Sequence, residues 1–279
     1  MRAIPTLAGF AMAYLLAGLT APAAGSTSPA NPIVIHVQQG DWGTARTNEI
    51  AAVLTSVAKV LAPYFPQRVS TRVRIASSRQ GPRVLLEKFP DGAHLVFLNV
   101  RDTRWDQFAY QFSHELCHIF ANSQHRETSG EMVRSHQWFE EALCEAVSLL
   151  TLKQMALGWE NSPPYPHWKD YAPAFREYAE RLLGEKHRNL PPGKSIAEWY
   201  AENRDVLGSN PYLRERNEFL ATRLMALLEE APRGLEAIGY LNLKQSSFNE
   251  SFEAYLEAWY SCCPEEIRDF AGRIIALFT

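Results

Sequence analysis

The sequence predicts an α+β fold: a small mixed β-sheet with an edge strand packed on the helix of residues 110–120, followed by a mainly α-helical C-terminal half. Two observations predict it. Before residue 101, short segments are rich in β-branched residues or alternate apolar with polar residues, as β-strands do. From residue 134 onward, apolar residues recur at helical spacing in long segments, which Pro/Gly-rich stretches such as NSPPYPHW separate.

A secretory signal peptide is predicted at residues 1–25. Arg2 precedes an apolar run from Leu7 to Leu19, and small residues follow that run. The run is short for a membrane-spanning helix, and an uncleaved N-terminal anchor is the alternative. We therefore expect a secreted or periplasmic protein that does not contact a membrane once the leader is removed.

The remaining chain is long enough for one large domain or two small ones, since 46% of the 279 residues are hydrophobic. We expect an α/β part over residues 26–158 and an α-helical part over residues 159–279 that closes a cleft. The formal net charge is −3, and no dense Lys/Arg run occurs. Nucleic acid is therefore not an expected partner, and the sequence indicates no oligomeric state.

The strands and the first helix are predicted as follows. Residues 33–38, IVIHVQ, are rich in β-branched residues and predict the first strand. A helix then begins with Thr47 or Asn48 as its cap and ends near Pro63. Three more strands are predicted, at residues 70–77, 82–89 and 93–100. The second half has predicted helices at residues 136–157, 171–184, 214–231, 250–261 and 264–278.

The segment YQFSHELCHIF, residues 110–120, carries an HExxH motif on a predicted helix. His114 and His118 are four residues apart and share one helix face, so both imidazoles can reach one metal ion. Glu115 lies about 100° around the helix from His114. It borders the ion without binding it, as a general base for a metal-bound water must.

A zinc ion needs a third protein ligand if a water is to keep the fourth position. The candidates are His125, Glu127, Glu131, His136, Glu140, Glu141 and Glu145. Glu141 and Glu145 are four residues apart, beside the apolar face of the next helix. Glu140 lies about 100° around that helix from Glu141. We assign Glu141 as the third ligand and Glu145 as a carboxylate that orients a ligand histidine. A helix with a solvated acidic edge is the alternative.

HELCH followed by WFEEALCEA resembles the gluzincin metallopeptidases, the thermolysin and aminopeptidase-like clan. Their pattern is HExxH on one helix and a glutamate on a following helix, and the resemblance covers residues 94–150. It implies a zinc-dependent peptidase that acts on a peptide or protein substrate. His114, His118 and Glu141 would hold Zn²⁺, and Glu115 would be the general base.

The resemblance has two further implications. The strand at residues 93–100 corresponds to the clan's edge strand, which pairs with an extended peptide, and Asn99 would then contact the substrate. Tyr212, in SNPYLRERNEFLATRL, corresponds to the clan's donor to the developing oxyanion. The metzincin pattern HExxHxxGxxH fails, because Gln124 occupies its third histidine position, although His125 is adjacent.

Two other function classes stay open. One is a non-catalytic metallopeptidase-like protein whose helical half binds a partner, and the other is a metallohydrolase that acts on a non-peptide amide such as a cell-wall crosslink. Glu115 favours an enzyme, because a purely structural metal site would not require it. The four cysteines, Cys117, Cys144, Cys262 and Cys263, have no CxxC spacing, so a cysteine-based metal site is not expected. Cys117 and Cys144 are expected either to pair or to remain buried thiols.

Overall fold

The computed structural model describes residues 33–68, 70–128, 131–190 and 193–279, and it has the predicted α+β architecture. A small mixed sheet precedes a mainly helical half. The predicted signal peptide, residues 1–25, lies outside these ranges. None of the helices within them has both the length and the apolar character that a membrane crossing requires.

The sheet contains β1 (Val34–Val37), β2 (Arg72–Ser77), β3 (Arg83–Leu85) and β4 (His94–Leu98), in the spatial order β1-β2-β4-β3. β1, β2 and β4 run parallel, and β3 pairs with β4 in the antiparallel direction. Helix α1 (Thr47–Leu61) connects β1 to β2 and buries its apolar face beside the sheet. A parallel pair requires such a crossover connection.

The edge strand next to the HExxH helix is β3, so the prediction that residues 93–100 form this edge is wrong. β4, which that segment forms, lies inside the sheet and pairs on both sides, with Val96 opposite Ile75 and Val84. Its side chains are buried or half-buried on both faces, as an interior strand requires. Sequence alternation alone does not distinguish an interior strand from an edge strand.

The helices after the sheet are α2 (Trp105–Phe120), α3 (Gln137–Asn161), α4 (Ala172–Leu183), α5 (Ile196–Ser209), α6 (Arg214–Glu230), α7 (Gly234–Ile238), α8 (Phe252–Cys262) and α9 (Glu265–Ile275). A short antiparallel pair, β5 (Glu127–Thr128) and β6 (Glu131–Met132), lies between α2 and α3. Helix α5, which has few buried apolar residues, was not predicted, and neither was the short helix α7. The start of α5 has a capping box, in which Ser195 and Glu198 bond each other's backbone, and this signal is visible in the sequence.

Helix α3 is the central element of the described fold. It contacts α1, α2, α4 and α6, and most of its length is buried. The domain boundary expected after residue 158 falls inside this helix, and Asn31–Thr279 form one compact unit. The helical half is therefore continuous with the sheet-bearing half in a single core.

Candidate metal centre and cavity

A cavity of about 510 Å³ lies between α2, α3, the edge strand β3 and the start of α6. Helix α2 lines it with one face, and the lining residues recur at intervals of three and four: Gln107, Tyr110, Gln111, His114, Glu115 and His118. The opposite face of α2 carries Phe108, Phe112 and Leu116, which are fully buried in the core. The amphipathic pattern of this helix thus directs its polar face into the cavity.

His114, His118 and Glu141 converge at the base of this cavity. An oxygen of Glu141 lies 3.2 Å from Nε2 of His114 and 3.5 Å from Nε2 of His118. One donor atom from each residue lies within 4.8 Å of the other two. Ligand atoms about 2.0–2.2 Å from a tetrahedral metal ion are about 3.3–3.6 Å apart, so this spacing fits such an ion.

The protonation state of Glu141 also suits a ligand. Burial raises the pKa of Glu141, but the facing imidazoles of His118 and His114 outweigh burial and hold the pKa well below its usual range. Burial lowers the pKa of His118, but Glu141 and Glu140 raise it well above its usual value. A metal cation would take the place of the proton that these carboxylates favour on the histidine.

Glu140, and not Glu145, is the carboxylate that orients a ligand histidine. An oxygen of Glu140 lies 2.6 Å from Nδ1 of His118, which leaves Nε2 directed at Glu141. The role that we expected for Glu145 is therefore wrong. Burial raises the pKa of Glu140, but Arg126 and His118 outweigh burial and bring the pKa to about 2, so the group is ionised.

A buried network surrounds Glu140. Arg126 donates from Nε to Glu140 at 2.7 Å, and Asn242 donates from Nδ2 to the same carboxylate at 2.7 Å. The Ser123 hydroxyl lies within hydrogen-bond distance of both Glu140 and the backbone carbonyl of His118, and it can donate its single proton to either acceptor. Asn242 is 102 residues from Glu140 in sequence and Arg126 is 14 residues from it, and we did not predict either of them. Charged groups that are buried need such partners to offset their loss of hydration.

Glu145 belongs to a second polar network, one turn of α3 beyond Glu141. Tyr110 donates its hydroxyl to Glu145, and Arg188 donates to it at 2.8 Å. Arg188 is also 3.3 Å from Glu218, which accepts from Arg214 at 2.6 Å. Glu145 is therefore held by Tyr110 and Arg188, and it does not orient a ligand histidine.

Glu115 lines the cavity next to the histidines and is 4% exposed. Burial raises the pKa of Glu115, while His114 and His118 lower it in part, and the net shift is upward. The carboxylate thus lies beside the candidate metal ligands without being part of their converging set. A raised pKa brings a carboxylate closer to the range that suits a general base near neutral pH.

Tyr212 lines the cavity, and Asn99 does not. The Tyr212 hydroxyl accepts from Arg134 at 2.7 Å and from Gln137 at 3.1 Å, and Gln137 also donates to Glu141 at 3.3 Å. The Gln137 side chain thus connects the Tyr212 hydroxyl to Glu141, the proposed ligand. Asn99 is exposed just after β4, and its backbone N–H donates to Gln111. The structure places Asn99 outside the cavity wall.

A second group of potential metal ligands, Glu185, His187 and Glu218, lies near α6. Arg188 is within 3.3 Å of both carboxylates, and Arg214 donates to Glu218. Two cations therefore already neutralise these carboxylates. This group is an ion-pair network, and a metal ion there would compete with both guanidinium groups.

Cys117 and Cys144 are buried free thiols that contact each other between α2 and α3. Burial raises the pKa of Cys144 well above its usual value, and the neighbouring Cys117 raises it further. Cys262 and Cys263 are free thiols as well. Of the two states left open for the first pair, the structure contains the reduced one.

No protein-family model matches this chain, and a search of curated proteins finds no relative.

Proposed function

We propose that this protein is a zinc-dependent peptidase of the gluzincin type, exported by its leader to the periplasm or the exterior. The observation that carries the proposal is the convergence of His114, His118 and Glu141 in the lining of a cavity that Glu115 also lines, with one Glu141 oxygen 3.2 Å and 3.5 Å from the two imidazole nitrogens. A His₂Glu set with an open fourth position is a donor set of catalytic zinc sites.

His114, His118 and Glu141 would hold the ion, and Glu140 would keep the His118 ring in the required orientation. A bound zinc ion would act as a Lewis acid toward a water molecule and the scissile carbonyl. Glu115 would accept the proton of the attacking water and deliver it to the leaving amine. Its burial next to the histidines supports this role, because a carboxylate with a raised pKa is a more effective base.

Tyr212 is the proposed donor to the developing oxyanion. Its hydroxyl oxygen accepts hydrogen bonds from Arg134 and Gln137, so its own proton remains free for a substrate oxygen. The edge strand β3 is the proposed platform for an extended substrate, since Arg83 and Val84 line the cavity and the outer side of β3 pairs with no described strand. A peptide that adds to this edge would lie across the ligands.

The test begins with metal analysis. Purified wild type and Glu141→Ala would be reconstituted with zinc and measured by mass spectrometry for zinc per chain. We expect one zinc per chain in the wild type and a large loss of affinity in the variant. Glu185→Ala is a matched control, because Glu185 belongs to the other carboxylate–histidine group and should leave zinc content unchanged.

Substrate profiling completes the test. The zinc-loaded wild type would be incubated with a mixture of peptides, and the products would be identified by mass spectrometry. Peptide cleavage that a chelator stops and zinc restores would support the proposal. Zinc binding without any peptide cleavage would reject the peptidase and favour a metalloprotein that binds a partner or acts on a non-peptide amide.

A further inference from the structure

Arg214 lies on the cavity wall at the start of α6, and the protein uses only part of its guanidinium group. Its Nε atom donates to Glu218 at 2.6 Å. Its two terminal nitrogens make no hydrogen bond with any residue in the described ranges, and 73% of the side chain is exposed. Arg214 therefore has donors available for a ligand in the cavity.

Glu218 holds this guanidinium in place. Only 5% of the Glu218 side chain is exposed, and it is also bound by His187 at 2.5 Å and approached by Arg188 at 3.3 Å. The hydrogen bond to Glu218 raises the pKa of Arg214, which keeps the guanidinium charged. A charged group on a fixed anchor loses little conformational freedom when a ligand binds it.

Asn217 provides an acceptor close to these donors. It lines the cavity, is 6% exposed, and donates from Nδ2 to the backbone carbonyl of Pro211 at 2.7 Å. Because a carbonyl oxygen only accepts, this bond identifies the bonded atom as Nδ2 and the other amide atom as Oδ1. The Oδ1 atom is buried and has no hydrogen-bond partner among the residues that the structure describes. A buried acceptor without a partner is costly, and a ligand N–H would satisfy it.

An anionic ligand group is compatible with the charges of this cavity. Four of its five lining carboxylates already face cations or histidines: Glu140, Glu141, Glu145 and Glu218. Arg83, which lines the cavity from β3, forms no ion pair with any described residue. Two guanidinium groups that line the cavity, those of Arg83 and Arg214, therefore lack a full set of anionic partners.

We propose that Arg214 and Asn217 form a subsite for a carboxylate of the substrate, with Arg214 binding the carboxylate and Asn217 Oδ1 accepting the adjacent N–H. The inference rests on the proposed peptidase function and adds a substrate class to it. That class is peptides with a carboxylate on the residue that lies against α6, supplied either by an acidic side chain or by a free C terminus. Guanidinium and carboxylate groups match in geometry and form strong charge-assisted hydrogen bonds.

The test uses two matched sets of peptides. In one set, Asp replaces Asn at each position in turn, and in the other, a free C-terminal acid replaces the amide. Cleavage would be measured as kcat/KM with the zinc-loaded wild type. Binding would be measured by fluorescence anisotropy with zinc-loaded Glu115→Gln, which is expected to retain binding without turnover. We expect a preference of about tenfold to a hundredfold for one carboxylate-bearing member, as is typical of a charge-assisted hydrogen bond.

Arg214→Gln should reduce that preference to less than about threefold, whereas Arg214→Lys should retain part of it because it keeps the charge without the planar donors. Arg204→Gln is the matched control, since Arg204 is an exposed arginine on α5 outside the cavity wall and should keep the full preference. The zinc content and the melting temperature of each variant would establish that it is folded. The set that shows the preference identifies the source of the carboxylate.

Two outcomes would overturn the subsite: no carboxylate preference in the wild type, or an unchanged preference in folded Arg214→Gln. Peptide cleavage without a carboxylate preference would overturn the subsite alone and leave the peptidase standing. Selective binding that depends on Arg214, without any cleavage, would support the subsite and reject the peptidase. If no peptide binds or is cleaved, both are rejected.

Discussion

Nδ1 of His118 lies 2.6 Å from a carboxylate oxygen of Glu140, and Nε2 of the same ring lies 3.5 Å from Glu141. Two adjacent glutamates of α3 thus contact the two nitrogens of one imidazole. Both glutamates line the cavity, but Glu140 is 1% exposed and is bound by Arg126, whereas Glu141 is 15% exposed. Glu140 therefore orients the ring, and Glu141 and the ring's Nε2 are left for a metal ion.

Glu140→Gln should weaken zinc binding about tenfold to a hundredfold, because it removes the charge that orients and polarises His118. It should also lower the free energy of unfolding by about 3–5 kcal/mol, because Arg126 would be buried without its anionic partner. Chelator competition would measure the zinc affinity, and urea unfolding would measure stability. Glu145→Gln is the control, since Glu145 contacts Tyr110 and Arg188 and no histidine. A larger loss of zinc affinity in Glu145→Gln would contradict the assignment.

Glu115→Gln should reduce kcat by about 10²- to 10⁴-fold while the protein still binds one zinc per chain. The amide keeps the shape of the side chain but cannot accept the proton of the attacking water. The measurement is the initial rate of peptide hydrolysis, together with zinc content on the same samples. Glu180→Gln, at an exposed position of α4, should keep wild-type activity. A Glu115→Gln protein within twofold of the wild-type rate would rule out the general-base role.

Asn242 should contribute to both stability and zinc affinity, although it lies far from the ligands in sequence. Its side chain donates to Glu140 and to the carbonyl of Ala121, and it accepts from Arg126 and Tyr255. We expect Asn242→Gly to lower the free energy of unfolding by about 2–4 kcal/mol and to weaken zinc binding.

Asn242→Ala separates two causes of that loss. The backbone φ of Asn242 is +59°, which glycine adopts freely and alanine does not. Asn242→Ala should therefore be about 1–2 kcal/mol less stable than Asn242→Gly, with the same zinc affinity. Equal stability of the wild type and Asn242→Gly in urea unfolding would show that the hydrogen bonds of this side chain contribute little.

His94 should make the protein less stable in mild acid. Burial lowers the pKa of His94 from 6.5 to about 4, with a further contribution from Lys88 and Arg68. The unfolded chain binds a proton at His94 at a higher pH than the folded chain does. The contribution of neutral His94 to the free energy of unfolding is therefore complete above pH 6.5 and is lost as the pH falls toward 4. The slope from this group is at most about 1.4 kcal/mol per pH unit.

Urea unfolding at several pH values between 7 and 4 would measure this slope. His94→Gln, which cannot titrate, should show a shallower decrease over the same range, and subtracting its curve removes the contribution of the other groups. His36→Gln is the control, since His36 is exposed on β1 and its replacement should leave the slope unchanged. Parallel curves for the wild type and His94→Gln would contradict the prediction.

The local part of the candidate metal centre was predictable because it depends on one helix. His114, Glu115 and His118 lie at fixed angles and heights on α2, so their relative placement follows from helix geometry alone. Glu141 was assigned from the apolar pattern of α3, and its oxygen does lie against both histidines. The α+β architecture followed in the same way from local patterns, and the structure confirms it.

The role of Glu145 was predicted wrongly, and that of Glu140 was not predicted, because α3 is buried on nearly every side. A helix of this kind has no single apolar face, so the periodicity of its sequence does not show which glutamate is turned toward α2. The rotation of α3 depends on its simultaneous packing against α1, α2, α4 and α6. That packing turns Glu145 toward Tyr110 and Glu140 toward His118.

The sequence by itself determined the elements whose geometry is set by local patterns: the HExxH face, the four strands of the main sheet and most helices. Only the tertiary structure decided which strand lies at the sheet edge, which glutamate binds His118, and that Asn242 and Arg214 reach the centre and its cavity. The physical reason is that strand order, helix rotation and contacts between distant segments result from burying the whole core at once. No local periodicity encodes them.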